Sequence, residues 1–185
     1  MNNNYDVNLV LELLEYNDLE LPRYATSNAA GFDFRACLTR PCIKFNERAE
    51  KISINIHDDG SRTTDSKYNP DTQKKPKLHI QPNETILIPT GFKCEFNNNH
   101  VLFINIRSSL AAKGLMLANG TGIIDPDYRG EIFAPIYNSG NSEYIINHGD
   151  RIIQGMILPI SQVNILIGKT NTTHRGTGGF GSTGQ

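Results

Sequence analysis

One carboxylate in this chain stands in a setting suited to chemistry. Between Asn119 and Ile132, the apolar pair Ile123-Ile124 runs into Asp125-Pro126-Asp127-Tyr128, and alternation restarts after Gly130. Pro126 suits the fixed φ of an early turn position, and Gly130 lets the chain resume an extended path. The segment is expected to form a β-hairpin with Asp125 held rigidly at its mouth. A carboxylate fixed at a strand end makes a good general base. The plainer reading of Asp-Pro-Asp is ordinary turn chemistry with solvated acids.

The last eleven residues, Arg175 to Gln185, carry a second chemical possibility. Five of them are glycine, at Gly176, Gly178, Gly179, Gly181 and Gly184, too many to hold a regular element unaided. By composition this is a flexible chain end. It also holds one Arg and one Phe, and a glycine-rich strip lets backbone amides approach a phosphate while an aromatic ring covers a base. No Gly-Lys-Ser/Thr follows at the spacing of a P-loop.

Three more segments fall in order around these two: Ala30-Gly31-Phe32-Asp33-Phe34-Arg35-Ala36, Arg107-Ser108-Ser109-Leu110-Ala111, and Gly149-Asp150-Arg151-Ile152-Ile153-Gln154. Taken together, the five resemble the five ordered motifs of the trimeric dUTPases, which hydrolyse dUTP to dUMP and pyrophosphate. The resemblance runs from about Pro22 to Gly184. It departs from the pattern at Ile106, where the family often has Pro, at Ser109, where Gly is common, and at Phe34, which replaces a frequent Leu. These changes touch local backbone more than chemistry.

The resemblance implies a role for each motif. Asp125 would activate the attacking water and accept a hydrogen bond from the deoxyribose 3′-hydroxyl. Tyr128 would lie flat against the sugar and exclude a 2′-hydroxyl, although on its own it reads as a half-buried aromatic beside a turn. Asn119, with the backbone around Gly122 and Ile123, would read the uracil edge. Arg107 and Ser108, with Ser109 beside them, would meet phosphate oxygens through a guanidinium fork and a hydroxyl. Gln154 would donate toward the same phosphates. Arg175 would meet the γ-phosphate, and Gly179 and Phe180 would close over the base. Asp33 and Arg151 would pair in support of the site.

Mg²⁺ is implied by the substrate, because a triphosphate chelates the ion itself while protein carboxylates act through its waters. Asp33 is the expected outer carboxylate, with no direct protein ligand. The family pattern also implies a homotrimer with shared sites: Asp33, Arg107 and Gln154 from one subunit, the Asp125 segment from a second and the Arg175 tail from the third.

Composition narrows the remaining classes. At 185 residues, with Lys+Arg 18 against Asp+Glu 19 and a net charge of -1, one domain is expected, with no global bias toward nucleic acid or an acidic membrane. Cys37, Cys42 and Cys94 form no metal-knuckle spacing and no even disulfide set, which points to a reducing compartment. No basic leader or bilayer-length apolar run is present in the sequence. The expectation is a cytoplasmic protein, with nuclear routing left open.

Elements that would position these residues are mostly short alternating runs: Val7 to Leu14, Ile52 to Ile56, Thr85 to Ile88, Val101 to Ile106, Ile132 to Tyr137, Ile152 to Leu158 and Val163 to Ile167. Only Ser109 to Leu117 offers a helical turn or two, ending near Gly114. The expected fold is all-β and jelly-roll-like, a domain over 1–170 followed by an arm over 171–185. A polar stretch at about 46–77 is expected as an inserted mobile surface segment, with a hairpin whose first arm runs from Lys51 to His57.

Three rival readings accompany this one. dCTP deaminases share the fold and a similar Ile-Asp-Pro turn, but they need a carboxylate on the following strand, where this chain has Pro135. A nucleotide-sensing regulator would use the polar insertion to contact a partner. A structural jelly-roll protein explains the strands but not Asp125, Tyr128, Arg175 and Phe180 in family order.

Overall fold

Alternation along the chain becomes antiparallel strand pairing in the computed structural model, which describes residues 7–64 and 75–178. In chain order the first elements are β1 (Val10–Leu13), β2 (Arg23–Tyr24), β3 (Phe32–Arg35), β4 (Cys42–Phe45), β5 (Lys51–Ile56), β6 (Arg62–Thr63), β7 (Lys77–Ile80) and β8 (Thr85–Pro89). There follow β9 (Phe92–Glu95), β10 (His100–Ile106), α1 (Ser108–Ala111), β11 (Leu115–Leu117), β12 (Gly122–Ile124), β13 (Phe133–Asn138), β14 (Tyr144–Asn147) and β15 (Arg151–Pro159). Five strands pair in the order β12-β10-β15-β3-β2 and six in the order β11-β13-β8-β4-β5-β6, with β1-β9 and β14-β7 as separate pairs. The chain is nearly all β, as the alternation requires.

Both large sheets turn their apolar faces into one core. Phe34, Leu102, Ile104 and Ile153 from the first meet a buried cluster with Ile86, Ile88, Ala134 and Ile136 from the second. Burying each such Leu, Ile or Phe is worth about 1.5–3 kcal/mol. Phe34 is fully buried and packs edgewise on Phe32.

In β15 the register shifts between Arg151 and Ile153. This bulge resets the two-residue period, so Ile152 and Ile153 are both buried while Arg151 and Gln154 are both exposed on the other side. Consecutive apolar residues at this point would otherwise send one of them into solvent.

Four expectations need correction. The Asp125 segment is not a hairpin: β12 pairs with β10 in one sheet, whereas β13 pairs with β8 and β11 in the other. The chain arches between sheets, because Ile124 and Ile132 both pack on the same core from opposite sides of the turn. The helix is a single turn, Ser108–Ala111, and Leu115 to Leu117 form strand β11 after Gly114, whose φ is +83°.

Part of the polar stretch is also built into the fold. β5 pairs with β4 and β6, and Ile54 and Ile56 are buried in the core. The hairpin from Lys51 is present, and residues 65–74 of the stretch lie outside the described residues. Finally, Val163 to Ile167 is not a strand. Val163, Ile165, Leu166 and Ile167 are 75–106% exposed, since a strand needs a neighbouring edge and this chain offers the segment none.

The β5–β6 hairpin is fastened by charge. Glu84 accepts from Lys44 at 2.8 Å and from Arg62 at 2.7 and 3.1 Å, and the Gln81 N–H adds 2.9 Å. Burial pushes the Glu84 carboxyl up, but these donors outweigh it and hold the group at about 2. A folded pKa below the unfolded 4.5 stabilises the fold above about pH 4.5, and that stabilisation is lost as pH falls toward about 2. Glu84→Gln is expected to cost ~2 kcal/mol at neutral pH. Urea unfolding of wild type and variant across this range checks it, with the difference between them narrowing as the pH is lowered.

Candidate active site

Strand register assembles a polar row across the outer face of the five-stranded sheet. Arg23 lies opposite Asp33, Asp33 opposite Gln154, and Gln154 opposite Asn105. Thr121, just before β12, extends the row by donating its hydroxyl to Asn105 Oδ1 at 3.1 Å. Directly opposed residues in antiparallel strands point to the same face. Three of these five, Arg23, Asn105 and Thr121, belong to none of the sequence-derived site residues. Their signal is positional, and it appears only once the strands are paired.

Asp33 is the centre of the row. Phe32 and Phe34 on either side point into the core, so alternation turns Asp33 outward, yet it is only 9% exposed. Arg151 donates Nη1 to Asp33 Oδ2 at 3.0 Å, the pairing expected from the sequence. Arg107 also approaches, with Nε 3.1 Å from Asp33 Oδ1. That N–H is not aimed along the contact, so both atoms stay buried without a hydrogen bond. Asp33 Oδ1 therefore keeps acceptor capacity that the chain itself does not fill.

Arg107 sits immediately after β10 and caps α1 through its backbone. Its φ and ψ are −70° and 139°, and its carbonyl accepts from Leu110 and Ala111. Ser108 and Ser109 stand exposed in the first helical turn. Beside Asp33, a cleft of about 400 Å³ is lined by Arg23, Arg35, Arg151 and Glu20, among others. Arg35 donates to the Gly149 carbonyl at 2.8 Å, tying this edge to the turn before β15.

The Asp125 segment forms a second group. Asp125 is exposed just past β12, and its carbonyl accepts the Tyr128 N–H at 3.1 Å, the turn that Pro126 favours. Tyr128 is 43% exposed and donates its hydroxyl to the Glu131 carbonyl at 3.1 Å. A Cβ on Gly130 would fall 2.3 Å from the Tyr128 hydroxyl, so the glycine makes room for the ring. Asn119 is exposed at the turn before β12, and Ile123 is 64% exposed on that strand. Gly122 faces Ile104 across the pair, where a Cβ would lie 2.2 Å from Ile104 Cγ1.

Within one chain Asp125 lies away from the Asp33-Gln154 row, although Thr121 and Gly122 at the start of β12 adjoin that row across β10. Ile124 is opposite Leu102, whereas the Asp33-Gln154 row crosses β10 at Asn105. Asp125 is thus about four residues, or about 13 Å, along the sheet from that row, and two strands, about 10 Å, across from Gln154. Arg175 stands apart from both, exposed, with its Nε donating to Gly178 within its own turn. Gly179 and Phe180 lie outside the described residues.

Two half-sites and a tail, carrying five motifs in order, are the pattern to compare with known proteins. The sequence profile of the dUTPase family matches residues 71–184. The deoxyuridine 5′-triphosphate nucleotidohydrolase of Desulfotalea psychrophila is 34% identical over 178 residues, covering 95% of each chain. This chain belongs to the dUTPase family. Among solved members, a mutant dUTPase of staphylococcal bacteriophage 80alpha with dUpNHpp aligns with a TM-score of 0.66 at 20% identity, over 96% of this chain and 99% of that one. A mutant dUTPase of the S. aureus phage phi11, whose structure details coordination of a structural Mg(II) ion, gives 0.62 at 18%, over 90% and 99%. These structural likenesses speak for the family fold.

Asp33→Asn is expected to cost about 3 kcal/mol of stability, because two guanidinium groups lose their shared carboxylate and one of them is largely buried. Denaturant unfolding of the variant checks this, and an unchanged midpoint would contradict it.

Proposed function

We propose that the chain hydrolyses dUTP to dUMP and pyrophosphate by in-line attack of water at the α-phosphorus. Family membership supports the reaction. The observation that carries the site assignment is the polar row of Asp33 and Gln154 on one sheet, with Asp125 set about four residues along that sheet from it. Asp33, Arg107, Ser108, Ser109, Arg151 and Gln154 make the phosphate half. Asn119, Gly122, Ile123, Asp125 and Tyr128 make the nucleoside half.

Each half has a chemical task. Arg107, with the hydroxyls of Ser108 and Ser109 and the Gln154 amide, offers donors for charge that grows on the phosphates during attack. Arg151 holds Asp33 in place. Asp125, rigid at the arch and open to solvent, orients a water and takes its proton. Tyr128 lies against the deoxyribose, where its ring leaves no room for a 2′-hydroxyl. Asn119 and the backbone at Gly122 and Ile123 pair with the uracil edge, and a wrong base leaves their polar groups unpaired.

Mg²⁺ fits this donor set. Asp33 contributes one carboxylate oxygen with spare acceptor capacity, which suits an ion carried in by the triphosphate and touched through water. Bound there, the ion supplies positive charge to the phosphate oxygens and holds them in a fixed arrangement.

We propose a homotrimer in which each site joins the two halves from different subunits and an Arg175 arm from the third. The uncovered apolar residues from Val163 to Ile167 support docking of this segment on a neighbour. Pro135 in the middle of β13 argues against the deaminase alternative, since it offers no group to move a proton.

Pyrophosphate release with Mg²⁺ from dUTP, UTP, dCTP and dTTP tests the reading, with turnover of dUTP alone expected. Asp125→Asn should lower that turnover by about 10²- to 10⁴-fold while folding and assembly persist. Release of ammonia from dCTP would overturn the assignment. Truncation before Arg175 should likewise cut turnover, and sedimentation of the truncated protein should still give a trimer.

A further inference from the structure

Behind the loop that carries Asp125 and Tyr128 lies an ion pair with no part in the chemistry proposed above. The Arg40 and Glu131 side chains are only 20% and 10% exposed. Arg40 donates Nε and Nη2 to the two Glu131 carboxylate oxygens at 3.0 and 3.1 Å, a fork matched to a fork. Its Nη1 donates to the Glu15 carbonyl at 2.6 Å. Glu131 Oε1 also accepts the Gly91 N–H at 2.9 Å. Gly91 is itself fixed, because its carbonyl accepts from the Leu14 N–H at 3.0 Å and from the Asn17 amide at 2.8 Å.

These contacts continue toward the nucleoside half-site. The Glu131 carbonyl accepts the Tyr128 hydroxyl, and the Tyr128 N–H donates to the Asp125 carbonyl. On the other side of Glu131, the Ile132 N–H donates to Phe92, and the Ile132 carbonyl accepts from the Thr90 N–H and hydroxyl. Glu131 is thus the anchor on the C-terminal side of the loop, while β12 paired with β10 holds its N-terminal side and Arg129, bonded to the Pro126 carbonyl, reaches Glu95. A buried ion pair is a poor source of net stability, since apolar residues of similar size often do as well. What a two-pronged guanidinium contact adds is a fixed position and rotation for the residue it holds.

We propose that Arg40 and Glu131 are positioning residues that set the pose of Tyr128 and Asp125, and through them the discrimination between deoxyribose and ribose triphosphates. The proposal rests on the dUTP hydrolysis inferred above. Neither side chain touches substrate. Glu131 acts through its backbone carbonyl on the tyrosine hydroxyl, and Arg40 acts through Glu131.

The test compares Arg40→Met, Arg40→Lys and Glu131→Gln with wild type and with Gly130→Ala, which moves the Tyr128 ring directly. Readouts are kcat/KM for dUTP and for UTP, thermal unfolding, and hydrogen exchange of the 125–131 segment in substrate-free protein. Arg40→Met and Glu131→Gln should lower kcat/KM for dUTP by about 10- to 100-fold, as expected for a reacting group displaced by about an ångström. They should also narrow the dUTP/UTP ratio in the direction of Gly130→Ala and speed exchange in the loop. Arg40→Lys should restore only part, since a point charge lacks the fork. A lowered melting temperature with an unchanged dUTP/UTP ratio and unchanged loop exchange would overturn the proposal. Should Arg40→Met fail to fold, Glu131→Gln carries the test, because it keeps the shape and the acceptor for Gly91. Absence of dUTP turnover in wild type would defeat the parent reading alone, and loop exchange in the variants would still decide whether the pair holds the loop.

Discussion

A single carboxylate, Asp33, ties together the strands on which the rest of the site depends. It projects from β3, is held by Arg151 at the start of β15, and faces Arg107 at the end of β10. These three strands are adjacent in the sheet. An acid turned away from the core would ordinarily be solvated. Here it is nearly enclosed, and enclosure without two opposing guanidinium groups would be prohibitive. The same arrangement leaves one carboxylate oxygen and one guanidinium nitrogen close together but misaligned. Such a mismatch in a folded protein calls for an explanation, and the proposed phosphate half-site supplies one.

The bulge in β15 makes the arrangement geometrically possible. Strict alternation from Arg151 would place Ile153 outward and Gln154 inward. One extra residue reverses the phase, so that Arg151 and Gln154 reach the same face as Asp33 while both isoleucines stay in the core. Gly155, two residues beyond the shifted register, sits where Phe32, Phe34 and Leu102 would crowd any side chain at 2.9 to 3.0 Å. Local backbone irregularity and tight core packing thus cooperate within five residues to aim the polar groups.

Sequence patterning captured the parts of this fold that repeat. Short apolar runs such as Val101 to Ile106 and Ile132 to Tyr137 each became a strand with nearly the expected bounds. Motif order singled out Asp33, Arg107, Asp125 and Gln154 as candidates, and the Asp33–Arg151 pair is present as expected. What escaped was long-range pairing. An arch and a hairpin have the same local sequence, since Asp-Pro-Asp turns the chain in either case and only partner strands distinguish them. In the sequence Ile54 and Ile56 read as part of a surface hairpin arm, and their burial was hidden because their support comes from β4. Leu115 to Leu117 was too short to separate from the helical turn before it. The buried role of Glu131 was hidden for a similar reason, since its partners, Arg40 and Gly91, are remote in the chain.

The bare apolar stretch near the C-terminus bears on how the protein must be made. Val163, Ile165, Leu166 and Ile167 lie in a segment without charge or proline, rich in β-branched residues, the composition that favours strand-to-strand aggregation when exposed. A newly synthesised chain that has folded its β domain still carries this hazard until another surface covers it. In the proposed trimer, assembly would compete with clumping, and the outcome would depend on how quickly folded chains find one another. Dilution would then leave the segment uncovered for longer, and rapid overproduction would raise encounters between incompletely folded chains. The same few residues that the domain leaves unsatisfied would therefore govern its yield as much as its architecture.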